Sequence, residues 1–158
     1  MSITENVWYC FAPDAAPLQP GLQMVHVKGV GFEERMIFQM ESKDTTVSMA
    51  VVSPIGQPVL SLEWNGKLLT SQSILGDIVT RHSRRLFMFV QWLKWPEEQM
   101  LKGFRGGFVH WHHEQSLHIR RLIVEDRTLL EEKIKEDGEH VITLPGFGIT
   151  VSIKDLAE

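Results

Sequence analysis

The chain has 158 residues, 43% of them hydrophobic and 23% charged, with a formal net charge of −4. That length suits one domain able to bury roughly two thirds of its unfolded surface, and the acidic balance gives no reason to expect nucleic acid. The basic runs Arg81-His82-Ser83-Arg84-Arg85 and His118-Ile119-Arg120-Arg121 are short and lack interleaved aromatics, so they read as solvated faces. The single cysteine, Cys10, rules out an internal disulfide. No stretch approaches the roughly 20 apolar residues that span a bilayer as a helix.

Residues 1–22, with Pro13, Pro17 and Pro20, read as an extended lead-in. No apolar run precedes Asp14-Ala15-Ala16-Pro17, so a signal peptide is not expected in the chain as given. Residues 23–158 read as a single domain. Strands are expected from about Gln23 to Gln72, and the segments 36–41, 46–53 and 59–64 alternate as half-buried strands do. If Ser42-Lys43-Asp44-Thr45 closes the first hairpin, Met36, Phe38 and Met40 lie opposite Val51, Met49 and Val47. A turn at 54–57 then sets Leu60, Leu62 and Trp64 on the same face. Asn65-Gly66 predicts a type I′ turn that carries Leu69 over Leu62. Gln39, Glu41, Ser48, Ser61 and Glu63 occupy the other face, and a one-residue slip would exchange the two.

The period then changes. Leu86, Phe89, Val90 and Leu93 recur at helical spacing. Trp95-Pro96 opens a second short helix, with Pro96 in its first turn and Glu97 and Glu98 near its positive end. Gly103-Phe104-Arg105-Gly106-Gly107 reads as the helix stop. Alternation returns over 109–113, 117–124, 129–136, 140–144 and 149–153, and the Asp137-Gly138 turn pairs Ile134 with Val141. The order strands, helices, strands predicts an α+β fold: an open, strongly curved antiparallel sheet, with the helical segment 84–104 covering its apolar face.

Several local phrases carry a resemblance. Ser53-Pro54-Ile55-Gly56, Leu62-Glu63-Trp64-Asn65-Gly66, Trp95-Pro96 and Gly148-Ile149-Thr150-Val151 resemble the LolA/LolB lipoprotein-carrier superfamily. Closer still is an uncharacterised lipoprotein-like family of bacterial aryl-polyene gene clusters. The resemblance covers about residues 23–156. It implies a half-barrel whose concave face binds lipid under a helical lid. It also implies periplasmic or outer-membrane association, transient contact with the inner leaflet of the outer membrane and with lipoprotein cargo, and a monomer without a cofactor. In the LolB type a leucine at a hairpin tip reaches toward the membrane, and Ile55 occupies the matching position. Cys10 is not set in a lipobox, because Val7-Trp8-Tyr9 precedes it.

A cavity for acyl chains needs apolar, adaptable walls and few buried polar groups. Met36, Met40, Met49, Phe38, Val51, Leu60, Leu62 and Trp64, with Leu86, Phe89, Val90 and Leu93 above them, would supply such walls. The same side chains would equally make a dry core, which leaves a scaffold without ligand as an alternative. Ile55 could also fold back onto its own sheet. A second alternative is a small metal-dependent enzyme. His110 and His112 share one face of a strand, with Glu114 beside them, and two imidazoles with a carboxylate can hold zinc or iron. Edge-strand histidines on the surface explain the same pattern. No nucleophile elbow or phosphate-cradling loop is present.

Overall fold

A computed structural model describes residues 1–13, 21–74, 76–77 and 82–156. The part of the lead-in that holds Pro17 and Pro20 lies outside them, as does Arg81. Among the described residues, ten strands form one open antiparallel sheet in the order β6-β5-β4-β3-β2-β12-β11-β10-β9-β8. The N-terminal half supplies β2 (Gly21–Gly29), β3 (Phe32–Lys43), β4 (Thr46–Val52), β5 (Pro58–Trp64) and β6 (Leu69–Ser73). The C-terminal half supplies β8 (Val109–Glu114), β9 (Ile119–Val124), β10 (Arg127–Ile134), β11 (His140–Leu144) and β12 (Ile149–Asp155). Between the halves lie α1 (Ser83–Lys94) and α2 (Glu97–Leu101), and a two-stranded ribbon pairs β1 (Trp8–Tyr9) with β7 (Phe104–Arg105).

The sheet curves around α1. Ten strands laid flat would span about 43 Å, roughly four times the diameter of a helix. Yet Leu60, Leu62 and Trp64 from one end share a single core cluster with Phe87, Trp92, Leu122 and Leu130 from the helix and the other end. The helix sits on the expected face. The opposite face, with Gln39, Glu41, Ser48, Ser61 and Glu63, lines a shallow polar groove open to solvent.

The faces of β3–β6 agree with the alternation, but three registers differ, the last by a single residue, which puts Val141 on the face opposite Ile134. The β3–β4 turn is Asp44-Thr45 alone, so Phe38 pairs with Val51 and Met40 with Met49, and Val47 faces Ser42. Asp44 takes a positive φ of 57°, which an aspartate tolerates and which tightens the hairpin. Asn65-Gly66 does not form a two-residue turn. The Asn65 side chain accepts from the Lys67 and Leu68 amides at 2.9 and 2.8 Å, which lengthens the loop to four residues and sets Leu69 opposite Trp64. At the Asp137-Gly138 turn, Lys135 N–H donates to Glu139 C=O at 2.9 Å, so Ile134 pairs with His140 rather than Val141.

The helical segment also differs in detail. Pro96 is the N-cap of α2, in an extended conformation, and Trp95 before it is extended, as a residue preceding proline prefers. Phe104 is not helical but belongs to β7. The α1 sequence Leu86-Phe87-Met88-Phe89-Val90-Gln91-Trp92-Leu93 is apolar nearly all round, so the helix is covered on two sides. Leu86, Phe89, Val90 and Leu93 face the sheet. Phe87 packs on Phe11 and Trp64, and Trp92 packs on Tyr9 and Phe104.

The first thirteen residues therefore contribute to the core through Val7, Tyr9 and Ala12, which are fully buried. The contact depends on Gly103, where a Cβ would lie 2.4 Å from the Cys10 carbonyl oxygen and 2.5 Å from the Tyr9 ring.

Candidate functional site

Under α1 the apolar face leaves a partly enclosed gap, about 80 Å³ in volume. Leu86, Phe89, Val90 and Leu93 form its roof, and Phe38 and Met40 form part of its floor. Six of the twelve residues expected to wall a cavity thus meet at it. Met49, Val51, Leu60, Leu62 and Trp64 are buried beside it as packed core, with Met36 half-buried against that core. The remaining apolar floor comes from Val25, Val27, Leu130, Ile142, Leu144, Val151 and Ile153, which the sequence pattern did not single out as cavity walls. They arrive there because β12 pairs with β2 and brings the C-terminal strands onto the same face. Lys94 and Gln23 are the polar residues lining the gap. Burial lowers the Lys94 pKa, against the attraction of Asp155 and Glu132.

A polar clamp holds the end of α1 to the sheet. Arg120 of β9 donates from Nε to Glu132 Oε1 at 2.6 Å and from Nη2 to the Leu93 carbonyl at 3.0 Å. Its guanidinium also lies 3.6 Å from Glu97 of α2 and stacks over Trp111 at 4.3 Å. His140 Nδ1 is 3.1 Å from the other Glu132 oxygen, and His113 Nε2 is 2.9 Å from Glu97 Oε2. The sequence reading placed Arg120 in a solvated basic run. Only the β9–β10 register, which sets Arg120 opposite Glu132, turns it toward the helix.

Glu132 is 7% exposed. Burial alone would raise its pKa, but the His140 and Arg120 hydrogen bonds and charges prevail and hold it below the ordinary carboxylate value. Tyr9 is shifted the opposite way. Its hydroxyl donates to Gln91 Oε1 at 2.6 Å in a buried site, and burial raises its pKa strongly. The two groups define a pH window for stability. Glu132 contributes above its unfolded value of about 4.3, and the contribution is lost as pH falls through the lower folded value. Tyr9 contributes below about 10, and the contribution is lost as pH rises from there toward the folded value. Urea midpoints are expected to fall below about pH 4 and again above about pH 10, the alkaline fall disappearing in Tyr9→Phe.

Ile55 stands clear of the sheet with 88% of its surface exposed. Gly56 N–H donates to the Ser53 carbonyl at 2.8 Å, and Gly56 adopts a φ of +87°, which returns the chain and leaves Ile55 at the apex. His110 packs its ring on Phe108, and His112 lies 4.0 Å from a Glu114 carboxylate that Arg121 already engages. Among the described residues, no three His, Cys, Asp or Glu side chains are grouped so that they could hold a metal ion. Among the described residues, no helix is long and apolar enough to cross a membrane.

No curated protein matches the chain. The model of the family described as "Protein of unknown function (DUF3261)" matches residues 22–157, from the second residue of β2 past the end of β12, so the matched region takes in the ten-stranded sheet, the gap and the clamp, and the chain belongs to that family.

Proposed function

We propose that the protein is a non-enzymatic carrier of a lipid, an acyl chain or a lipoprotein acyl group, built as a LolB-like half-barrel with α1 as its lid. The observation that carries this reading is the gap itself. It is lined almost wholly by hydrocarbon and lies between a curved sheet and one helix. That helix is tied down at its C-terminal end by hydrogen bonds and charges rather than by packing alone. An apolar void of this kind stays dry and accepts apolar ligands. Its volume of about 80 Å³ is well below the roughly 300–1,000 Å³ of small-molecule pockets. At that volume the conformation is the closed one, in which the lid must lift to admit a chain. The resemblance to the LolA/LolB superfamily supports a periplasmic or outer-membrane setting and lipoprotein cargo. The small volume also favours a second reading, a ligand-free scaffold with an imperfectly filled core.

Native mass spectrometry of freshly purified protein, with lipid analysis of the denatured sample, separates the two. The carrier reading expects a co-purified fatty acid or phospholipid. It also expects Val90→Phe, which fills the gap from the roof, to abolish uptake of a fluorescent acyl probe while Tm changes by only a few degrees. A protein that emerges lipid-free and takes up no probe is the scaffold.

A further inference from the structure

Lys94 closes α1, where a cation complements the negative end of the helix dipole whichever way it faces. A lysine placed there for the dipole alone would hold its ammonium in open water. Lys94 is instead half-buried and lines the apolar gap together with Leu93 and Gln23. Asp155 and Glu132 attract it from a distance, against the burial that lowers its pKa, but each is engaged elsewhere. Asp155 accepts from the Gln23 amide at 2.7 Å. Glu132 holds Arg120 at 2.6 Å through one oxygen and His140 at 3.1 Å through the other. Among the described residues, no carboxylate comes within ion-pairing distance of the Lys94 ammonium. A cation thus stands at one end of a hydrocarbon-lined space without a direct partner.

We propose that the ligand of this gap is a single-chain carboxylic acid, a free fatty acid, lying along α1 with its carboxylate paired to Lys94. The proposal rests on the carrier reading and names its ligand. The roof residues Leu86, Phe89, Val90 and Leu93 form one stripe of the helix, which covers one hydrocarbon chain rather than the paired chains of a phospholipid. From Leu86 to Lys94 that roof is about 12 Å long. A carboxylate at its end would meet the ammonium in charge-assisted hydrogen bonds. Gln23, which gives one amide hydrogen to Asp155, has a second to offer. A cationic head would be repelled by Lys94 and Arg120, and a neutral ester would leave a half-buried charge uncompensated. The neighbouring carboxylates do not bar an anion, since Glu132 is matched by Arg120 and Asp155 is exposed, where water and salt screen it. The clamp adds a fixed point. Arg120 donates to the Leu93 carbonyl at 3.0 Å, so the ammonium on the next residue keeps its place while the rest of the lid lifts.

The full chain is titrated at neutral pH with cis-parinaric acid and with its methyl ester, two fluorescent probes that share one hydrocarbon chain and differ in charge. Wild type is expected to bind the acid about tenfold more tightly than the ester. Lys94→Met keeps an unbranched stem and removes the charge. It should weaken acid binding by about tenfold and bring the acid level with the ester. Lys94→Arg, which keeps the charge, should retain the preference for the acid. Neither substitution strips a buried group of an ion pair, so Tm should hold within about 3 °C. The proposal is overturned if wild type binds acid and ester alike, if Lys94→Met still prefers the acid, or if Lys94→Arg loses the preference as fully as Lys94→Met. The outcomes also separate this proposal from the reading beneath it. Equal binding of both probes leaves a carrier of esterified or amide-linked acyl groups without this head-group site. Binding of neither removes the carrier as well.

Discussion

Gln91→Leu is expected to lower the unfolding free energy by about 3–5 kcal/mol, although leucine has a suitable size and Gln91 sits on an apolar helix. Gln91 is fully buried, and its amide makes three hydrogen bonds. Oε1 accepts from the Tyr9 hydroxyl at 2.6 Å and the Ala12 amide at 2.9 Å, and Nε2 donates to the Ala12 carbonyl at 3.1 Å. Leucine would strand two backbone groups and a hydroxyl away from water, at roughly 1–3 kcal/mol each, partly recovered by relaxation. Tyr9→Phe removes only one donor and should cost about 1 kcal/mol. Urea unfolding of both variants checks the ranking. A loss below about 1 kcal/mol for Gln91→Leu would mean that the N-terminal segment is not docked on α1 in solution.

Arg120→Met is expected to cost about 3–5 kcal/mol at pH 7, because it leaves Glu132 buried with only His140 as partner. The pH dependence identifies the cause. In wild type, acidification weakens the protein as Glu132 takes up a proton. In Arg120→Met the buried carboxylate that has lost its guanidinium is the source of the damage, so the gap between variant and wild type should narrow as the pH is lowered toward 4. Adding Glu132→Leu should restore most of the lost stability, since replacing both members of a buried pair is far milder than removing one. The double variant also leaves the Leu93 carbonyl without its Arg120 donor. If α1 is a lid, acyl-probe exchange should be faster in it than in wild type even where stability is regained.

The sequence made the two faces of β3–β6 legible but not the registers, for a reason that lies in the period of a strand. Whether Val47 meets Met40 or Ser42, every side chain keeps its face, because hairpins that differ by two residues give the same alternation. Loop length was decided by side-chain hydrogen bonds, as at Asn65, that periodicity does not report. Half of the gap was hidden for another reason. Leu130, Ile142, Leu144 and Ile153 lie on strands the alternation does find, but their sharing of a face with Phe38 follows from the nonlocal β2–β12 ladder. Arg120 was unreadable on the same ground. Gln91 did carry a signal. It is a lone polar residue between Val90 and Trp92 on a helix with no other polar position from Leu86 to Leu93.

That β2–β12 ladder also governs how the chain must come together in time. Apart from it, the sheet consists of two meanders of sequential hairpins, β2–β6 and β8–β12, each able to form from neighbouring sequence. The seam joins Lys28 to Thr150 and Gln23 to Asp155, across nearly the whole chain. Closing so long a loop costs only logarithmically more than closing a short one, but contacts of this separation slow folding toward the millisecond-to-second range. During synthesis, β2 therefore waits as an open edge until the last strand has left the ribosome. An edge strand of nine residues that includes Leu22, Met24, Val25 and Val27 is a site for pairing with another chain. Nascent copies should thus depend on a holding chaperone for longer than a sheet of hairpins alone would need.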